Sequence, residues 1–393
     1  MVFRIPAFLC LALFLLSSAA GSQQCPARYF WVVRDGLASP RSVDSLVERA
    51  SEAGANGLIV QVVGRGEAYY RSNILPAAAH QDGFDPLAYT IARARPRGME
   101  VHAWVNAFLV WSDDSPPVDS GHVWHAHPDW FLHDRYGRST RDYTSEECRS
   151  AGLVGATLSP AIPEVRSFIA GIVSEISLNY DVDGIHLDYI RYPNLSFGYE
   201  PRAVGSFLLQ TGMDPLDMFR RHGGSDLLEE AWSEWRLEAV TTTVQTVRSV
   251  LRSDAPGVLL SAAVMADPDE AASNYLCDWS HWLDSGLMDF VCPMAYTTSQ
   301  ARALELAALV TRSHPQRIIY GIGVFNQPIE NALTGATEAL SRGAGGVCVF
   351  SLNSLSSDST WMLRNYWGES GIPAHGLDAA VFNRVSSGHG GVR

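Results

Sequence analysis

The chain has 393 residues, 47% of them hydrophobic and 18% charged, enough apolar material for one large core or two smaller ones. Its formal charge of −13 and pI near 5.3 argue against a nucleic-acid partner, which needs clustered positive charge. All 29 of the Lys and Arg residues are Arg; without any lysine, Schiff-base catalysis, pyridoxal-phosphate attachment and phosphate-loop chemistry are excluded.

Residues 1–22 place Arg4 before the apolar run Ala7 to Leu16 and end on the small residues Ser17 to Ser22, the pattern of a secretory signal peptide. The apolar run is short for a membrane span, which disfavours a retained anchor, and bulky Gln23 and Gln24 disfavour lipidation at Cys25. The expectation is a secreted or periplasmic protein with no stable membrane span after signal removal. Its mature chain is expected to begin between about Gly21 and Cys25. Cys25, Cys148, Cys277, Cys292 and Cys348 show no paired Cys-x-x-Cys metal pattern. Cys292 and Cys348 fall in strand-like runs and read as small buried hydrophobes, while one disulfide among the others stays open.

Eight strand-like runs follow: Tyr29 to Val33, Leu58 to Val63, Glu100 to Asn106, Gly184 to Tyr189, Val258 to Val264, Asp289 to Ala295, Ile318 to Val324 and Gly346 to Ser351. Helical periodicity marks Arg41 to Ala53, Pro86 to Arg95, Glu164 to Asn179, Asp226 to Arg252, Gln300 to Arg312, Ile329 to Ser341 and Ser357 to Trp367. Eight alternating units predict an α/β fold, a (β/α)8 TIM barrel over residues 23–368, and no composition break marks two separate domains. Long insertions follow strands 3 (Leu109 to Ser159) and 4 (Pro193 to Gly224), and the Gly-, Ser- and His-rich residues 369–393 are expected to form a flexible tail.

Strand parity picks out the chemistry. His186 and Asp188 share one face of the fourth strand, and Asp188 falls at its carboxyl end, where barrels build active sites. On the third strand His102, Trp104 and Asn106 share a face, an inward row suited to the floor of a sugar site. After the second strand, Gly64 and Gly66 let Arg65 and Glu67 sit close to the strand end. The sixth strand ends at Tyr296, an aromatic ring with a polar tip.

Four stretches, Arg65 to Ser72, His102 to Asn106, Leu158 to Arg166 and Tyr180 to Pro193, together resemble the glycosyl hydrolase-like 10 family. The resemblance covers nearly all of the mature chain. It implies an exported barrel acting on cell-wall or other envelope glycans, with Asp188 catalytic and Gln61, Arg65, Glu67, Tyr70, His102, Trp104, Asn106, Arg191 and Tyr296 lining the site. His186, which shares its face with Asp188, joins the substrate-binding candidates.

Glycoside hydrolysis ordinarily needs two carboxylates. Strand 4 lacks an Asn-Glu pair and strand 7 ends without a carboxylate, which disfavours barrels with two strand-end glutamates. Glu67 is the first choice of partner and Asp267 or Asp269 the second; on a 2-acetamido sugar the substrate's own carbonyl could take the nucleophile's place. The structural alternatives are specific. Asp188 could serve only to partner Arg191 or His102, Glu67 could be a loop ion pair, and Asp183, at the amino end of its strand, reads as structural. His122, His125, His127 and His133 suggest a metal but lack a second ligand cluster, so neither metal nor cofactor is expected. The insertion tryptophans serve either packing or sugar stacking, and truncating Trp104 is expected to weaken glycan binding more than folding. The leading reading is an exported glycosidase cleaving an envelope or extracellular polysaccharide, such as peptidoglycan glycan strands. A glycan-binding barrel without catalysis and a metal-dependent polysaccharide deacetylase are the alternatives.

Overall fold

The computed structural model describes residues 26–78, 83–220 and 226–368; the signal-peptide and tail readings fall on residues outside these. Eight parallel strands close into a barrel: β1 (Ala27–Val32), β2 (Gly57–Gly64), β3 (Glu100–Asn106), β4 (Gly184–Asp188), β5 (Leu259–Met265), β6 (Phe290–Met294), β7 (Ile319–Gly323) and β8 (Gly346–Phe350). Closure comes from β1, which pairs with β2 on one side (Phe30 opposite Leu58) and with β8 on the other (Phe30 opposite Val349). Helices wrap the outside, among them Pro40–Glu52 after β1, Pro86–Ala94 after β2, Pro163–Asn179 after β3 and Asp226–Asp254 after β4. This is the (β/α)8 TIM barrel that eight alternating units predict, with every strand within two residues of its expected bounds.

Alternation along each strand divides the apolar residues into two cores. Phe30, Leu58, Val60, Val101, Ala103, Ile185 and Leu187 point outward and pack under the helices. Tyr29, Trp31, Ile59, Trp104, Phe290, Cys292 and Cys348 point inward and fill the barrel. Such large rings fit because glycines face them at the amino-terminal end. A Cβ on Gly57 would lie 2.5 Å from the Tyr29 ring, and one on Gly184 only 2.1 Å from His102 Nδ1. Asp183, just before β4, accepts the Val101 amide at 2.8 Å and lies 3.5 Å from Arg95, a structural placement at the amino end.

Both insertions rise from the carboxyl-terminal face. The first carries an antiparallel strand pair, Leu109–Trp111 with Ala156–Thr157, and its histidines hold it together. His122 caps the short helix Val123–Ala126 and bonds the Arg65 carbonyl at 2.8 Å, His125 lies 2.7 Å from the Pro117 carbonyl, and His127 stacks on Trp130 at 3.7 Å. The second contributes helix Pro201–Thr211, which builds a separate apolar cluster from Tyr199, Phe207 and Trp232 against the first half of the long helix Asp226–Asp254. Cys148, Cys277, Cys292 and Cys348 are all buried free thiols. Among the described residues, no helix is long and apolar enough to cross a membrane.

Candidate active site

At the carboxyl-terminal mouth of the barrel lies a cavity of about 360 Å³, lined by strand-end residues from around the ring. Of the candidates named from the sequence, it gathers Gln61, Arg65, Trp104, Asn106, Asp188, Arg191 and Tyr296. The β3–β4 register sets Asn106 directly opposite Asp188 and Trp104 opposite His186, so the two polar strand ends arrive side by side. Asp188 is 7% exposed. Its Oδ1 accepts the Tyr189 amide at 2.7 Å and lies 3.4 Å from Arg191 Nη1. Tyr189 reaches this arrangement in a left-handed conformation (φ +52°), as does Arg65 on the facing loop (φ +56°). Such backbone in non-glycine residues costs energy and persists where the surroundings demand it.

Burial raises the pKa of Asp188, opposed by Arg191, the Tyr189 amide and, least of all, the Trp104 indole. Loss of hydration outweighs the single cation, so the carboxyl keeps its proton above the usual range. Trp104 Nε1 is itself buried without a hydrogen-bond partner of good geometry. A buried donor left open beside the carboxyl is a place for an acceptor atom from a ligand. Deeper polar contacts fix the rest of the site. Gln61 donates to Asn106 Oδ1 at 3.3 Å and accepts the Arg34 amide at 3.2 Å, which orients both amides. Tyr296 packs against Trp31, Phe325 and Phe350, and burial holds its phenol far above the ordinary range, as a proton donor rather than a nucleophile.

The remaining candidates sit elsewhere. Tyr70 is buried in the outer core, where its hydroxyl donates to Glu175 at 3.0 Å; Glu175 also accepts Ser72 and the Asn73 amide, so this tyrosine secures the loop after β2. His102 lies at the closed end of the barrel, with Tyr29 and Phe290 at ring distances of 5.2 and 5.6 Å. The third-strand row therefore climbs from base to mouth, and only Trp104 and Asn106 reach the cavity. His186 occupies the middle layer: Trp31 donates to its Nε2 at 3.2 Å, and its Nδ1 lies 2.9 Å from Ser261 Oγ. Burial keeps it neutral, so the Trp31 bond assigns the proton to Nδ1. Glu67 is half-buried on the antiparallel turn after β2 and does not line the cavity. Burial raises its pKa against the pull of Arg65 and Arg34. Asp267 caps helix Pro268–Tyr275 and pairs with Arg302 at 3.0 Å, while Asp269 is exposed on that helix. Asp188 is the one carboxylate among the described residues that line the cavity.

Sequence reading passed over Trp31, Arg34, Tyr189, Phe325 and Phe350, all of which line it. Trp31 shares the inward parity of Tyr29, a signal that was present in the strand; Phe325 and Phe350 come from loop and strand ends, where alternation says nothing about a cavity. Among the described residues, no group of three or more His, Cys, Asp or Glu is arranged to hold a metal ion.

Solved structures of glycoside hydrolases share this closed parallel barrel. The glycoside hydrolase domain of PgaB (BpsB) from Bordetella bronchiseptica matches with a TM-score of 0.66 at 16% identity, covering 86% of this chain and 98% of that one. The α-L-fucosidase isoenzyme 2 of Paenibacillus thiaminolyticus matches at 0.57 and 16% identity, covering 86% and 48%. At these identities the likeness is one of fold. The family is set by sequence: residues 33–327 match the glycosyl hydrolase-like 10 model, and the chain belongs to that family. It is 26% identical over 320 residues to glycosyl hydrolase DigH of Escherichia coli (strain K12), covering 72% of this chain and 65% of that protein. To glycosyl hydrolase YngK of Bacillus subtilis (strain 168) it is 24% identical over 293 residues, covering 68% and 51%. The chain thus spans about half to two thirds of the length of these curated relatives.

Proposed function

We propose that this protein is an exported glycoside hydrolase that cleaves O-glycosidic bonds of an envelope or extracellular polysaccharide, with Asp188 as its catalytic carboxyl group. The observation that carries this reading is Asp188 itself: buried, raised in pKa, and facing a cavity with an unpaired indole donor beside it. A carboxylic acid that keeps its proton above the usual carboxyl range can deliver it to the glycosidic oxygen as the bond breaks. Arg191 and the Tyr189 amide then stabilise the carboxylate that remains. With no second carboxylate lining the cavity among the described residues, a 2-acetamido sugar, whose carbonyl can attack its own anomeric carbon, fits this acid best. The same single carboxylate favours the alternative of a glycan-binding barrel without turnover.

Incubation with purified wall glycans and exopolysaccharides, followed by product mass analysis, tests the reading; no released fragment from any polymer overturns it. Where a substrate is cut, the pH profile carries more information. A general acid works while protonated, so kcat/KM falls as pH rises through the raised Asp188 pKa, and the alkaline limb lies above the ordinary carboxyl value of about 3.9. Arg191→Met removes the cation that holds the pKa down and moves that limb to higher pH. A limb that stays put shows that another group titrates. Export is tested by N-terminal sequencing of protein recovered outside the cytoplasm, expected to start between about Gly21 and Cys25. An intact Met1 there contradicts signal cleavage.

A further inference from the structure

We infer that a second cavity, of about 570 Å³ between the two insertions and the long helix, is a separate glycan-binding site that holds sugar rings of a polymer chain away from Asp188. Its outer wall is aromatic and open: Tyr136 is 79% and Phe219 45% exposed. The Arg135 guanidinium lies 4.9 Å from both ring centroids, and its Nη2 donates to the Tyr136 hydroxyl at 2.7 Å. Flat rings with a planar cation held against them offer an apolar face to a sugar and donors to its hydroxyls.

The inner wall is polar and incompletely satisfied. Arg236 is 2% exposed; its Nη1 donates to the carbonyls of Leu195 at 3.1 Å and Phe197 at 2.7 Å, but its Nε has no partner. Among the described residues it forms no ion pair. Trp232, fully buried on the same helix, also has an indole N–H without a partner. Asp134, a carboxylate of this wall, is already occupied by the amides of Tyr136 and Arg138 and by the Tyr143 hydroxyl. These open donors, with the Glu229 carboxylate on the same wall as an acceptor, suit a ligand rich in hydroxyl groups, which both accept and donate.

Continuity points to the polymer rather than to an unrelated small molecule. One loop serves both cavities: Asp188, Tyr189 and Arg191 line the first, and Leu195, Phe197 and Tyr199 line the second. A chain bound across the second cavity is kept beside the first, which raises the effective concentration of cleavable bonds. The nature of the polymer rests on the glycan reading of the Asp188 cavity; the existence of the second site does not.

The experiment is cosedimentation with insoluble peptidoglycan, in an Asp188→Asn background so that the polymer is not cut. Adding Tyr136→Ala and Phe219→Ala is expected to weaken retention at least tenfold with the thermal midpoint unmoved. Tyr136→Ala alone, at a side chain mostly in solvent, guards against a folding artefact and is expected to move retention in the same direction. Equal retention of all three proteins, or none by the parent, overturns the site. Hydrolysis by the unsubstituted protein reports separately: a cut polymer with unmoved retention removes only the second site, and an uncut polymer whose retention depends on Tyr136 and Phe219 removes only the hydrolase reading.

Discussion

Asp188→Asn lowers kcat on a confirmed polysaccharide substrate by at least ~10²-fold and leaves KM nearly unchanged, the expected signature of losing a group that acts in the transition state. Asparagine keeps the shape of the side chain and an oxygen to accept the Tyr189 amide, now at 2.7 Å, so the loop after β4 has no reason to move. What it lacks is a proton it can release. The control lies at the other end of the strand. Asp183→Asn weakens the 2.8 Å bond to the Val101 amide and the contact with Arg95, so it costs about 1 kcal/mol of stability while turnover persists. Glu67→Gln, at a residue that does not line the cavity, costs far less activity than Asp188→Asn. Steady-state kinetics on the three variants decide the matter. Comparable activity of the Asp188→Asn protein removes Asp188 from the chemistry and leaves glycan binding as the function to be explained.

Trp104→Ala is expected to cost ~3–5 kcal/mol of folding stability, the range for emptying a large aromatic site in a packed core. Strand parity alone suggests a ring laid out for sugars, whose truncation affects binding first. The structure adds a packing role that parity does not reveal: Trp104 lines the cavity but is only 5% exposed, belongs to the barrel's inner cluster and lies 6.4 Å from the Phe350 ring. Trp104→Phe separates the two roles, since it keeps a ring in the cluster and deletes only the indole N–H. On the proposed mechanism, an indole N–H beside the Asp188 carboxyl is worth up to about 1.5 kcal/mol, or roughly tenfold in kcat. The same deletion removes a small stabilisation of the Asp188 carboxylate, so the alkaline limb moves to higher pH. Chemical denaturation and pH–rate profiles on both variants check these outcomes. Full activity with an unmoved limb in Trp104→Phe assigns the residue to packing alone.

The eight strands were legible in the sequence because they are short apolar runs, most of them rich in β-branched and aromatic residues and bounded by glycine, proline or a helix cap. Parity on the third and fourth strands by itself places Trp104, Asn106, His186 and Asp188 inside the barrel. A strand's alternation, however, gives the face of a side chain and not its height along the barrel. His102 and Asn106 share a face, yet one sits at the closed end against Tyr29 and the other at the mouth opposite Asp188. Height follows from the register between strands, which depends on how eight separate segments stagger as the barrel closes. The loop residues were harder still. Tyr70 and Arg65 come from one short motif, but the first is drawn into the outer core by Glu175 and the second is turned into the cavity by a left-handed backbone. That Asp188 has no second carboxylate beside it among the described lining residues was likewise a tertiary outcome. Asp267 is claimed by a local helix cap and also by Arg302, 35 residues on in sequence, which only folding brings to it.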